Sequence, residues 1–391
     1  MELVERPAAR ATGSALRPLA QLLLDATFDR PGVFSDELGR VTGEELWEAG
    51  LLHRVTPAVA RAVRGWSEVP EAWRAPLEVG RNRQMLRHLR ALEDLKVLGA
   101  ALDRAGIAWV VVKGATLASV VWPHADMREY YDLDLLVQPA AFRDAVEIVE
   151  AEGGRLLDRN WPALRASRRG ELAMVGRHGT HVDLHWHLAV APSVRRAFAL
   201  DVDAMLARRR HRELSATSVP MLDPEDQALH VAVHAAQAGA NRLMWLADAY
   251  YAAQQVDWDV LCDRSRAARA EVPVALVLDR AYRVAGEPGV PHPGFERAAA
   301  GSWGRLARAR DARHPFPGLP GDPRLGGAVY SAARASVVAS AGHLVALHAR
   351  ARRDGWRHRT GRDVAWPLQQ DVPDAGARDA YFAAAASGER R

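Results

Sequence analysis

REYYDLDLLVQP, residues 128–139, places Asp132 and Asp134 inside a run that otherwise reads as a short apolar strand. Side chains two apart on a strand point to the same face, so the two carboxylates stand side by side while Leu133 and Leu135 face the opposite layer. A water-facing edge strand would carry such a pair cheaply. The run Leu133, Leu135, Leu136, Val137 argues instead for packing on at least one face, and like charges held that close require a compensating cation.

A second strand-like stretch, THVDLHWHL (180–188), adds a third acid. Alternation sets His181, Asp183, His185 and His187 on one face and Val182, Leu184 and Trp186 on the other. The β-rich run IAWVVVKG (107–114) ends in Lys113-Gly114. Lysine occurs at only two positions, Lys96 and Lys113, the other basic residues being arginine. A lysine in so arginine-biased a chain suggests a need for a compact ammonium, against the plainer reading of a surface strand end. Two divalent cations roughly 3.5–4 Å apart, bridged by carboxylates, would account for the tolerated like charges, and such a pair is the apparatus of in-line attack on a nucleoside triphosphate. Magnesium takes few carboxylates and keeps its waters, which suits three acids without a closed cage. Zinc on His181, His185 and His187 is the competing reading, weakened because ligands two apart on one strand seldom close a tetrahedron. His230 and His234 stand at helical i, i+4 spacing, but Val231 occupies the position where a metalloprotease helix carries Glu, so they read as lining a cleft or core.

The stretch KGATLASVVWPHADMREYYDLDLLV resembles the signature of the DNA polymerase β-type nucleotidyltransferase superfamily. It is similar, more narrowly, to the bacterial family labelled uncharacterised nucleotidyltransferase. The matching residues are Lys113-Gly114, Trp122-Pro123, Arg128, Asp132-Leu133-Asp134 and Val182-Asp183-Leu184-His185-Trp186, with the helical stretch from His230 through Asp248, and the likeness spans roughly residues 90–260. It implies an α+β fold, a small mixed sheet between helical N-terminal and C-terminal regions. It also implies Asp132, Asp134 and Asp183 as catalytic residues holding Mg²⁺ or Mn²⁺, with NTP as substrate. Where the wider superfamily carries Gly-Ser, this chain has Lys113-Gly114 with Thr116 nearby, so nucleotide contacts fall to these three and to Arg128. His185, His234 and Asp248 are expected to touch substrate or to support the acids, Asp248 by orienting an arginine such as Arg242. The implied activity moves a nucleoside monophosphate to an acceptor that the residues do not identify: a small metabolite, a natural-product peptide or RNA. A non-catalytic partner-binding protein on this fold, and a phosphate- or sugar-transferring enzyme of natural-product tailoring, are the alternatives.

Around this centre the apolar positions recur at helical spacing from residue 15 to 105 and again from Pro224 onward. Three regions are therefore expected: helical 1–95, an α/β core over 96–215, and helical 216–391 with a basic tail. GRLLD and ELAMV read as further strands, the latter forming a hairpin with THVDLHWHL around Arg177-His178-Gly179. HPFPGLPGDPRLGG (314–327) reads as a loop, and the alanine-rich end as frayed. Residues 301–391 hold 15 Arg against 8 Asp plus Glu, and the basic segment 343–362 with its tryptophan leaves a phosphate-rich partner such as nucleic acid open, though a solvated helix end is the commoner explanation. No P-loop or dinucleotide turn supports an ATPase or dehydrogenase. The one cysteine, Cys262, excludes an internal disulfide and a thiolate zinc cluster. With no signal-peptide anatomy and no apolar run of the ~18 residues a membrane span needs, a cytoplasmic protein is expected.

Overall fold

The computed structural model describes residues 16–32, 34–66, 68–215, 217–319, 327–359 and 368–388, and the side chains of all but 16, 17, 351 and 353–359. Four helices open the chain: α1 (Leu16–Thr27), α2 (Gly43–His53), α3 (Thr56–Ala62) and α4 (Glu71–Arg104). A reciprocal cap starts α2, the Thr42 hydroxyl accepting from the Glu45 amide at 3.2 Å while the Glu45 carboxylate accepts from the Thr42 amide at 2.9 Å. Helix α4 runs 34 residues without a break across the join expected at 95–96. Its Leu95, Leu98 and Leu102 belong to the core beneath the sheet.

The sheet has seven strands in the order β3-β4-β5-β2-β1-β7-β6. In chain order they are β1 (Trp109–Val111), β2 (Asp132–Val137), β3 (Arg155–Leu156), β4 (Glu171–Val175), β5 (His181–His185), β6 (Arg210–Leu214) and β7 (Thr217–Met221). It is mixed: β2 runs parallel to β5 and β1 to β7, while β1–β2, β3–β4, β4–β5 and β6–β7 are antiparallel. A small mixed sheet set among helices is the α+β arrangement expected from the sequence. The β6–β7 hairpin went unread there, because β6 is a charged edge strand, RHREL, with four of five residues exposed.

Each face of the sheet is covered by its own core. Leu133, Leu135, Val137, Val182 and Leu184 pack on α4 and on α5 (Phe142–Ala151). On the other face Val110, Val112 and Leu136 join the apolar residues of the helices that follow the sheet. After α6 (Trp161–Ser167), α7 (Pro192–Ala197) and α8 (Val202–Ala207), those helices are α9 (Pro224–Gln237), α10 (Leu243–Ala253), α11 (Trp258–Ala267) and α12 (Glu271–Val284). Then come α13 (Pro293–Ala300), α14 (Ser302–Arg313), α15 (Gly327–Ala332) and α16 (Val337–Arg359). Gln227 on α9 donates to the Val112 carbonyl at 2.9 Å and pins that helix over the strand that ends in Lys113.

The alanine-rich end corrects the sequence reading. Instead of fraying it forms α17 (Ala375–Ala386), capped by Asp374, whose carboxylate accepts from the Ala377 amide at 2.8 Å. Tyr381 and Phe382 are buried against Phe142 and Trp161, and the Tyr381 hydroxyl reaches the Arg169 and Glu171 carbonyls at 3.0 and 3.2 Å. Ala377 and Ala385 are buried on the same side of the helix. Residues 320–326 of the expected loop and 360–362 of the basic segment lie outside the described residues. Among the described residues no helix is long and apolar enough to cross a membrane.

Candidate functional site

Register brings the three acids together. In the parallel pair of β2 with β5, Asp134 stands opposite Asp183 and Asp132 opposite His181. Across β5 the antiparallel β4 sets Glu171 opposite His185. Asp132, Asp134, Asp183, His185 and Glu171 thus occupy one face of three adjacent strands. The β4–β5 hairpin that carries Asp183 turns at Gly179, whose φ is +86°. It is held by buried Asp94 of α4, which accepts from the His178 and Thr180 amides at 2.9 and 3.1 Å.

The cation that the sequence demanded is Lys113. Its ammonium lies 3.0 Å from Asp134 Oδ1, and the His185 Nε2 lies 3.2 Å from the same oxygen. Gly114 makes the turn beyond, at φ +62°, where a Cβ would come within 2.8 Å of the Asp132 carbonyl oxygen. Burial opposes ionisation of Asp134, but Lys113 and His185 outweigh it and hold the carboxyl well below the usual carboxylate range. Its neighbours go the other way. Burial, then the charge of Asp134, pushes Asp183 up to about 7 and raises Asp132 as well. For His185 burial disfavours the charge, yet the hydrogen bond to Asp134 and the nearby Glu171 raise its pKa on balance.

Asp132 and Asp183 open into a cavity of about 400 Å³ lined also by Arg87, Arg90, Tyr131 and His181, while Asp134 is buried. Arg54 and Arg87 hold Tyr131 between them, at 4.7 and 4.1 Å from its ring. Arg90 is exposed and has no carboxylate partner among the described residues. The N-terminal helices therefore supply positive charge beside Asp132. None of Glu171, Arg87 or Arg90 was read from the sequence; the hairpin register alone would have set Glu171 opposite His185, whereas the arginines are indistinguishable from other surface positions of α4.

Two residues expected to contact nucleotide, Arg128 and Thr116, are buried and engaged within the protein. Arg128 is buried, its Nε and Nη2 donating to the two oxygens of Asp248 at 2.7 and 2.9 Å, so its fork is already filled. Trp122 donates to the same carboxylate at 2.7 Å. Asp248 therefore orients Arg128, joining α10 to the turn before β2. Thr116 is fully buried, its hydroxyl donating to the Lys113 carbonyl at 3.1 Å; it shapes the turn and does not face the cavity. His234 packs edge-on to Trp245 and, with His230, sits on the face of α9 turned toward Lys113, whose charge and the surrounding burial keep both imidazoles neutral. The three histidines of the zinc reading do not converge: His181 is exposed, His185 is engaged by Asp134, and His187 Nδ1 accepts from the Ala189 amide at 2.9 Å.

The donor set suits a hard cation. Asp134 Oδ2 is buried with no hydrogen-bond partner, and all three acids offer carboxylate oxygen. Among the described residues no group of three or more His, Cys, Asp or Glu side chains is arranged to hold a metal ion by itself, so a cation here would draw on fewer protein oxygens. An open set is what magnesium accepts, since it completes its shell with water and phosphate oxygens.

Among curated proteins none matches the chain. A family model described as uncharacterised nucleotidyltransferase matches residues 41–286, which includes the whole sheet, Lys113, the three acids, and the Arg128–Asp248 clamp. That span exceeds half of the chain, and the chain therefore belongs to the uncharacterised nucleotidyltransferase family and is an enzyme of that class.

Proposed function

We propose that the enzyme moves a nucleoside monophosphate from NTP to an acceptor hydroxyl, with Asp132, Asp134 and Asp183 holding Mg²⁺ or Mn²⁺. The acceptor oxygen forms a bond to the α-phosphorus, the bond from that phosphorus to the bridging oxygen breaks, and pyrophosphate leaves with the electron pair. The observation that carries this reading is the placement of Asp134 directly opposite Asp183 and beside Asp132, with Asp132 and Asp183 on the wall of a cavity rimmed by arginine. When bound, the cation supplies charge stabilisation to the phosphoryl oxygens and acidity to the acceptor hydroxyl. Lys113 fixes Asp134 in its ionised form. Arg90 and Arg87 meet the negative charge of the triphosphate at the cavity rim, a role the buried Arg128 cannot take. His185, braced 3.4 Å from Glu171, keeps the Asp134 carboxylate in place from behind.

The test uses NTP labelled at the α- or γ-phosphate, with Mg²⁺ and fractionated cell extract as a source of acceptor. Label from the α-position is expected in the product and label from the γ-position in pyrophosphate, and Asp132→Asn should stop both while circular dichroism stays native. Transfer of the γ-label to the acceptor would replace nucleotidylation by phosphorylation.

A further inference from the structure

A second and larger cleft, about 1330 Å³, opens between α6, α7 and α17. Five arginines line it, Arg165, Arg168, Arg195, Arg196 and Arg269, against two carboxylates, Asp201 and Asp374. Both carboxylates are committed to capping helices, accepting from the Ala204 and Ala377 amides at 3.0 and 2.8 Å. Arg165, Arg168, Arg196 and Arg269 are exposed and form no ion pair with any described residue. Other arginines of the chain do find close partners: those facing Asp223, Asp226, Asp248, Asp279 and Asp311 all lie within 3.1 Å of a carboxylate. Four unpaired guanidinium groups around one concavity outnumber its two carboxylates and leave the cleft a net positive field.

Arg195 fixes the floor. Buried and lying 4.6 Å over the Trp186 ring, it donates to the Ala189, Val190 and Arg168 carbonyls, so its charge is held rigidly beneath the opening. The opposite wall is the alanine face of α17, where Ala377, Ala380 and Ala384 leave room for an extended chain. The volume exceeds the roughly 300–1000 Å³ of an ordinary small-molecule pocket. Single-stranded nucleic acid would need exposed aromatic faces for its bases, and here Phe198 and Tyr381 are buried at 1% and 2% exposure.

We infer that this cleft binds an acidic peptide segment, its carboxylates paired with Arg165, Arg168, Arg196 and Arg269. Guanidinium forks suit carboxylates through two parallel hydrogen bonds. The inference concerns binding alone and does not depend on the transfer chemistry. The full chain, without NTP or metal, would be titrated into a fluorescein-labelled oligoglutamate and followed by anisotropy. Saturable binding that weakens with salt is expected, as is a loss of at least about tenfold in the double variant Arg165→Glu with Arg196→Glu. Arg297→Glu with Arg305→Glu, the same charge change at exposed arginines outside the cleft, should lose less than about twofold. Neutral Arg165→Gln with Arg196→Gln, the safer change for folding, should fall between. Absence of saturable binding, equal losses in the two reversed pairs, or tighter and equally arginine-dependent binding of oligouridylate would each overturn the assignment, the last in favour of a nucleic-acid interface.

Discussion

At the scale of single residues, the paired carboxylates of β2 are tolerable because their surroundings treat them differently. Asp134 is ionised against Lys113, while burial and the charge of Asp134 push Asp132 and Asp183 toward the neutral form. Lys113 thus holds the buried Asp134 charge in place. Lys113→Met leaves the Asp134 charge without its ammonium, and breaking a buried pair from one side costs about 3–5 kcal/mol. Urea denaturation should show that loss, and adding Asp134→Asn to the same chain should recover most of it. The histidines make a separate prediction. His230 is pushed down to about 3 by burial and then by Lys113, far below its unfolded value. A depressed histidine contributes stability that is complete above about pH 6.5 and is lost as pH falls toward 3, because the unfolded chain takes up the proton first. His230→Gln should therefore flatten the fall of stability between pH 6 and 4 by up to about 1.4 kcal/mol per pH unit. An unchanged slope would mean that His230 titrates alike in both states. His187, also pushed to about 3, by burial and then by Arg195, supplies a second contribution that the variant keeps.

At the scale of elements, much of the site was legible because strand alternation is rigid. Asp132 with Asp134, and Asp183 with His185, follow from a period of two, and the hairpin at Gly179 follows from its turn residues. What the periodicity could not show is which elements meet. Sequence proximity assigns Arg128 to phosphate because it stands four residues before Asp132, whereas the fold hands it to Asp248, 120 residues later. Thr116 reads as a hydroxyl beside a phosphate motif until burial is known. The clamp carries its own prediction. Asp248 receives Arg128 and Trp122 together, so Asp248→Ala strands a buried guanidinium and an indole N–H and should cost about 3–5 kcal/mol by chemical denaturation. Asp248→Asn, which keeps one acceptor oxygen, should cost less. Equal stability of all three proteins would return Asp248 to the role of a plain helix acid.

At the scale of the whole molecule, the chain closes on itself in a way that linear regions do not describe. The helix at 71–104 belongs both to the N-terminal bundle and to the core under the sheet, and the last helix returns to pack beside a helix from the middle of the chain. Alanine-rich composition hid this, since the period of 3.6 is carried there by only two large residues, Tyr381 and Phe382. Each buries an aromatic side chain worth about 1.5–3 kcal/mol, and the Tyr381 hydroxyl also reaches the Arg169 and Glu171 carbonyls beside the site. Against a net stability of roughly 5–15 kcal/mol for a folded domain, that contribution is large. Removing everything after residue 373 should therefore lower the melting temperature by about 5 °C or more and expose Phe142 and Trp161 to water. Tryptophan emission should shift to the red in the truncated protein before any heating. The double substitution Tyr381→Ala with Phe382→Ala should reproduce most of the loss in the full-length chain, which separates packing from mere shortening. A truncated protein that melts with the intact one would mean that the helix contributes nothing to the fold, and the sequence reading of a frayed end would stand.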